Sequence, residues 1–166
     1  MPVSVGGRRF TVPFRNAADW TVAMETASGP YDCLLYLLEW RDRDQLLDGL
    51  AFGTVDASDL HSASHRLTEE CSPYRWWETY RLLMVATRPT VLGRTVVKGM
   101  DPYSLTVAQW CSGIFSLLTE HLDDSGRFKF EAQLADPPDG VDDGDDWAYQ
   151  DFEQMVAQAR AMPGQG

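Results

Sequence analysis

The chain has 166 residues, of which 44% are hydrophobic and 11% aromatic, which predicts one folded domain and excludes a disordered chain. The formal net charge of −11 is concentrated near the C terminus, where residues 120–166 hold three basic and twelve acidic side chains. Such an acidic chain, without a basic stripe, would repel nucleic-acid phosphates and anionic membrane surfaces, so we expect neither as a partner.

The cysteines and the longest apolar run indicate the cellular compartment of the protein. The three cysteines, Cys33, Cys71 and Cys111, are odd in number and far apart, which argues against a disulfide scaffold or a zinc ribbon. The longest apolar run, residues 33–38, is too short for a signal peptide or a membrane span. We therefore expect a soluble protein that stays in the cytoplasm.

The first dozen residues predict a β-hairpin. Val3 and Val5 alternate with polar neighbours, Gly6-Gly7 supplies a two-residue turn, and Phe10 and Val12 resume the alternation. This register places the four apolar side chains on one face, which either packs on helices or pairs with another chain.

Helical patterns follow from residue 16 onwards. Asn16 is a suitable N-cap for a helix to about residue 27, and Pro30 suits the first turn of a second helix that extends to Trp40. The mixed-charge run 41–44 separates that helix from a short one, and Asp56 or Ser58 caps the next.

The second half of the chain predicts three helices and a short fourth. Ser72-Pro73 is expected to start a Trp-rich helix, and residues 88–99 a short one. The pattern from 105 to 122 is apolar around most of its circumference and opens with a Thr106/Gln109 capping box, so we expect it at the core centre. A short helix follows, reaching residue 134.

These patterns predict a mainly α fold in three parts: a helical domain with an N-terminal hairpin (1–135), an acidic Pro/Gly/Asp linker (136–146) and an amphipathic C-terminal helix (147–162). The C-terminal helix either folds back on the domain or offers its apolar face to a partner. The candidate partner-binding residues are Trp147, Phe152, Met155 and Val156 of this helix, together with Trp76 and Trp77.

Motifs for catalysis are lacking, and we expect no enzyme, catalytic residue, metal or cofactor. His61 and His65 have the i, i+4 spacing that places two metal ligands on one helix face, with Glu69, Glu70 or Cys71 as the nearest third ligand. The alternative interpretation, which we favour, is an ordinary exposed helix face.

Several segments together resemble tail assembly chaperones of long-tailed actinobacteriophages. They are the ribbon 3–13 with the Trp-bearing helix after it, Arg75-Trp76-Trp77, the turn 99–102 with the helix start 105–111, and Pro137-Pro138-Asp139-Gly140. The resemblance covers roughly residues 3–140, and its motifs are structural.

The resemblance implies a non-catalytic helical protein of the infected host cytoplasm that is absent from the mature virion. Such chaperones bind the tape measure protein, promote assembly of the tail tube protein around it, and often exist in a frameshift-extended form as well. The resemblance is also compatible with self-association of the chain. The alternative is a virion structural protein, a head–tail connector or minor tail component whose N-terminal ribbon extends a neighbour's sheet.

Overall fold

The computed structural model describes residues 1–26 and 28–138. Over these residues the chain forms two strands and eight α-helices, which confirms the mainly α fold with an N-terminal hairpin. The elements are β1 (Pro2–Val5), β2 (Arg8–Thr11), α1 (Ala17–Met24), α2 (Cys33–Leu37), α3 (Trp40–Ala51), α4 (Ala57–Cys71), α5 (Trp76–Ala86), α6 (Pro89–Val97), α7 (Val107–Thr119) and α8 (Asp124–Ala135), with a 3₁₀ turn at Gly29–Tyr31. The predicted helix 147–162 and most of the linker lie outside the described residues.

The hairpin has the predicted turn and register. Gly6 and Gly7 have φ angles of 54° and 76°, which side chains disfavour, and Val3 pairs with Phe10. Val5 and Phe10 are buried against the helices, so the first of the two alternatives, packing of this face on helices of the same chain, is the one that the structure has.

Each outer edge of the hairpin makes one hydrogen bond to a helix side chain. The Arg66 guanidinium of α4 donates to the Ser4 carbonyl at 3.4 Å, and the Thr11 amide donates to Asp42 of α3 at 3.5 Å. One backbone group on each edge is therefore already hydrogen-bonded within the chain.

The predicted boundary between the second and third helices is wrong. The second helix ends at Leu37, and Trp40 and the charged run 41–44 begin α3. Leu38 and Glu39 are extended, with ψ angles of 156° and 153°, and the Arg15 guanidinium donates to the Leu37 carbonyl at 2.9 Å. A side chain from a distant part of the sequence thus satisfies the open end of α2.

The most enclosed helix is α5, which packs against α1, α4, α6, α7 and α8. All residues from 81 to 86 are buried. The 105–122 helix belongs to the core as expected, since Val107, Trp110, Cys111, Ile114 and Leu117 are buried, and α5 is enclosed by more helices than it is. The helix α5 starts later than the predicted start at Ser72-Pro73. Its first helical residue is Trp76, and the Thr79 hydroxyl donates to the Ser72 hydroxyl at 2.9 Å.

The end of α8 is fastened to α5 by one buried arginine. The Arg81 guanidinium donates to the carbonyls of Gln133, Leu134 and Asp136 at 3.2, 3.0 and 2.9 Å. Pro138, the last described residue, is buried. Among the described helices, none has the length and apolarity that crossing a bilayer requires.

Candidate partner-binding surface

The helix α6 begins and ends at residues suited to those positions. Pro89 occupies the first helical position, where its missing N–H costs nothing. Gly99 has a φ of 70° after the helix, and its amide donates to the Val96 carbonyl while the Met100 amide donates to that of Thr95. This is a Schellman motif, and it fixes the last turn of α6.

One side of α6 is anchored to the domain. Val91 and Thr95 are buried, and the Thr95 hydroxyl donates to the Leu92 carbonyl at 2.8 Å. Glu120, at the end of α7, accepts from Lys98 at 2.6 Å and from Arg94 at 3.2 Å. The Lys98 hydrogen bond is the main reason that the pKa of Glu120 is lowered.

The other side of α6 is apolar and faces solvent. Leu92, Val96 and Val97 are 43%, 69% and 86% exposed, and a Cβ added to Gly93 would meet nothing within 4 Å. With Pro89 they form a surface that we call the outward face of α6: Pro89, Leu92, Gly93, Val96 and Val97. Since it carries no charged residue, it differs from an ordinary solvated helix face and is typical of an interaction surface.

A second exposed apolar row lies on α3. Trp40 and Leu47 are 60% and 44% exposed and are seven residues apart, with Ala51 one turn further along. This row, Trp40, Leu47 and Ala51, is interrupted by Asp44, which shares the same side of the helix. It is therefore less apolar than the outward face of α6.

The two candidate tryptophans of α5 have different environments. Trp76 is 4% exposed, and its ring stacks on His65 with centroids 4.0 Å apart, so it is a core residue and cannot serve as a surface contact. Trp77 is half-buried, lines a shallow groove of about 550 Å³ with Arg75 and Glu78, and donates to the Ala135 carbonyl at 3.3 Å. Trp147, Phe152, Met155 and Val156 lie outside the described residues.

His61 and His65 do not form the exposed helix face that we favoured. The ring centroids of His61 and His65 lie 5.3 and 5.2 Å from that of Tyr31. His65 also stacks on Trp76 at 4.0 Å, and the Tyr31 and Trp76 centroids are 5.6 Å apart. Burial, with His61 as a second cause, lowers the pKa of His65 to about 4, so its ring is neutral near pH 7. Within residues 1–26 and 28–138, no cluster of three His, Cys, Asp or Glu residues could hold a metal ion.

The cysteines of the described residues are free thiols. Burial raises the pKa of Cys33 to about 12 and also raises the pKa of Cys111. Both side chains therefore stay protonated and behave as small apolar core residues.

No known protein family, characterised protein or solved structure matches the chain. The outward face of α6 therefore has to be interpreted from its own chemistry.

The sequence contained a signal for this surface that the prediction did not use. Residues 88–100 include Val91, Leu92, Val96 and Val97 but no acidic residue, and on a nine-residue helix these four cannot all share one buried side. Which of them faces solvent depends on the position of α5 and α7, and this is a tertiary property.

Proposed function

We propose that the protein is a non-catalytic phage tail assembly chaperone that binds an amphipathic helical segment of the tape measure protein. The observation that carries this proposal is the outward face of α6. It has no charged residue and faces solvent, while Val91 and Thr95 on the other side of the helix are buried in the domain. A helix with an apolar side can pack against this face with its own apolar side.

The energetics suit reversible binding. Fully burying one valine or leucine side chain contributes about 1.5–3 kcal/mol, and three such side chains stand on this face. Association costs translational and rotational freedom, so a few such contacts give a weak complex at each site. Weak binding suits a client that must be released to the tail tube protein.

The resemblance supports the same function. Its segments include the hairpin with its Gly6-Gly7 turn and the Gly99 turn before the capped start of α7, and these are features that fix a fold. These elements are among those through which the chain resembles the chaperones, and the resemblance implies a binding protein of the infected cell.

The alternative, a virion component that extends a neighbouring sheet through its hairpin, has less support. Its edge groups at Ser4 and Thr11 already have partners on α4 and α3. A chaperone leaves no copies in the finished particle, whereas a connector or minor tail protein remains there, so its detection in purified virions would favour the alternative.

Co-production with the tape measure protein of the same phage tests the proposal. We expect the wild-type chain to keep the tape measure protein soluble and to co-purify with it. Val96→Asp or Val97→Asp would place a carboxylate on the contact face, and we expect a loss of binding of about tenfold or more, which corresponds to about 1.4 kcal/mol.

Phe128→Asp is the matched control, because Phe128 is 73% exposed on α8 and lies outside α6. This variant should bind as the wild type does, and melting temperatures should show that all three variants fold. Equal binding by the α6 variants, or no binding by the wild type, would refute the proposal.

A further inference from the structure

We infer that the outward face of α6 recognises its client through a depression at Gly93, which takes one large apolar side chain of the client helix. The inserted client residue is a leucine, a methionine or a phenylalanine. The inference rests on the proposed function for the existence of the client. It adds which position of the face recognises the client and which kind of side chain that position selects.

Gly93 occupies the outermost position of α6. The buried residues of this helix are Val91 and Thr95, and Gly93 is two positions from each of them. Successive residues of an α-helix are turned by about 100°, so a residue midway between two such positions lies on the opposite side of the helix. A Cβ added to Gly93 meets no described atom within 4 Å. The part of α6 that lies farthest from the domain therefore has no side chain.

Apolar side chains surround Gly93 on the helix surface. Pro89, Val96 and Val97 stand at i−4, i+3 and i+4 from it, and residues at these spacings are neighbours on a helix. All three are exposed. Side chains extend a helix from a Cα radius of about 2.3 Å to an outer radius of about 5–6 Å, so the depression is about 3 Å deep. One large side chain fits it as a knob fits a hole between packed helices.

The depression is formed before the client binds, because α6 is fixed against α7. The Arg94 guanidinium donates to the Leu117 carbonyl at 3.0 Å and to Glu120 at 3.2 Å. Lys98 donates to the same Glu120 at 2.6 Å, and the turn at Gly99 fixes the end of the helix. A site that is already ordered loses less conformational entropy on binding, which favours recognition by shape.

The area of the face favours a client helix over a second copy of the chain. The exposed parts of Leu92, Val96 and Val97 together equal about two complete side chains, on the order of 200 Å² of apolar surface. A stable dimer buries about 800 Å² on each partner. Two copies that met through this face alone would therefore separate, whereas a client that is later released needs only a weak contact.

A depression and a general apolar patch respond in opposite ways to added bulk. Gly93→Leu fills the depression and excludes the client side chain, although it adds apolar surface to the face. A general apolar patch would bind more tightly after this change, because more apolar area is buried. Leucine also favours the helix over glycine, so α6 stays folded in the variant.

Binding of the full-length chain to an immobilised phage tape measure protein, the proposed client, tests the inference. We expect Gly93→Leu to bind about tenfold or more weakly than the wild type, and Gly93→Ala to have an intermediate affinity. Ala51→Leu is the matched control, because it adds a comparable side chain to the exposed end of α3 and should bind as the wild type does. Melting temperatures not below that of the wild type should show that all variants fold.

An alanine scan of the bound client segment identifies the inserted side chain. Replacing one leucine, methionine or phenylalanine of the client should weaken binding to the wild type by about tenfold and binding to Gly93→Leu by much less, because both changes act on one contact. Equal losses with the two chains would overturn the inference.

Other outcomes separate this inference from the proposed function. If Gly93→Leu binds the tape measure protein as tightly as the wild type or more tightly, the inference is wrong and the proposed function stands. Wild-type dimers that Gly93→Leu abolishes would assign the face to a second copy and would also overturn the inference. A wild type that does not bind the tape measure protein would refute the proposed function, and the inference with it.

Discussion

The consecutive helices α5 and α6 have opposite relations to solvent. All of residues 81–86 in α5 are buried, including Arg81, whereas α6 buries only Val91 and Thr95. Both helices are rich in aliphatic residues, so composition does not distinguish them. The difference lies in the number of packing neighbours: five helices surround α5, while α6 packs on α5 and α7 from one side.

This contrast separates the residues that hold the fold from the residues available for binding. A change in α5 should cost stability, and a change on the outward face of α6 should cost binding and leave stability nearly unchanged. The following variants test that division.

The largest expected effect is on core packing in α5. Leu82 is fully buried, and Leu82→Ala should lower the free energy of unfolding by about 2–5 kcal/mol through lost burial and the cavity left behind. Val97→Ala on α6 removes exposed atoms and should change the free energy of unfolding by less than about 0.5 kcal/mol. Urea denaturation of both variants measures the contrast, and similar losses in the two would contradict it.

The next effect concerns the arginine that connects α5 to α8. Arg81→Met should lower the free energy of unfolding by about 1–3 kcal/mol, because the carbonyls of Gln133, Leu134 and Asp136 lose a charged donor. The amides of α8 should also exchange faster. Arg127→Met, an exposed change on α8, is the control; if it has the same effect, the carbonyl contacts are not the cause.

A pH-dependent effect is expected where α4 meets α5. His65 has a pKa of about 4 in the folded chain against an ordinary value of 6.5, so the unfolded chain binds the extra proton first as the pH falls. Its contribution to stability should be complete above about pH 6.5 and should decline toward pH 4. Thermal melts from pH 7.5 to 4.5 should show a shallower decline in His65→Gln, whereas His121→Gln, which changes an exposed histidine, should follow the wild type.

The smallest effects come from two glycines of the α6 region and have opposite signs. Gly99→Ala should destabilise by about 1–2 kcal/mol, because the φ of 70° disfavours a Cβ. Gly93→Ala should stabilise by about 0.5–1 kcal/mol, because alanine favours the helix and the added methyl group meets open space. Chemical denaturation gives both values, and the same sign for both would contradict the backbone account.

Local signals in the sequence predicted much of the fold. The Gly6-Gly7 turn, the Asn16 cap and the Thr106/Gln109 capping box each depend on neighbours within a few residues, and all three are present. The break between α2 and α3 depends on Arg15, which contacts Leu37 from more than twenty residues away. No local pattern contains that contact.

The candidate surface was less predictable for the same reason. Trp76 is of a residue type that is common in binding sites, but its ring stacks on His65 of α4. Val96 and Val97 are of a residue type that is common in protein cores, but no helix among the described residues covers them. The sequence predicts which side chains are apolar, and the tertiary arrangement decides which of them are buried.

The central claim is that the outward face of α6 binds the client, and site-specific photo-cross-linking tests it most directly. A photoreactive amino acid replaces Val96 on α6 in one full-length chain and Leu47 on α3 in another, and each chain is produced with a phage tape measure protein, the proposed client. We predict a cross-link to the tape measure protein from position 96 and none from position 47. A cross-link from position 47 with none from position 96 would contradict the account.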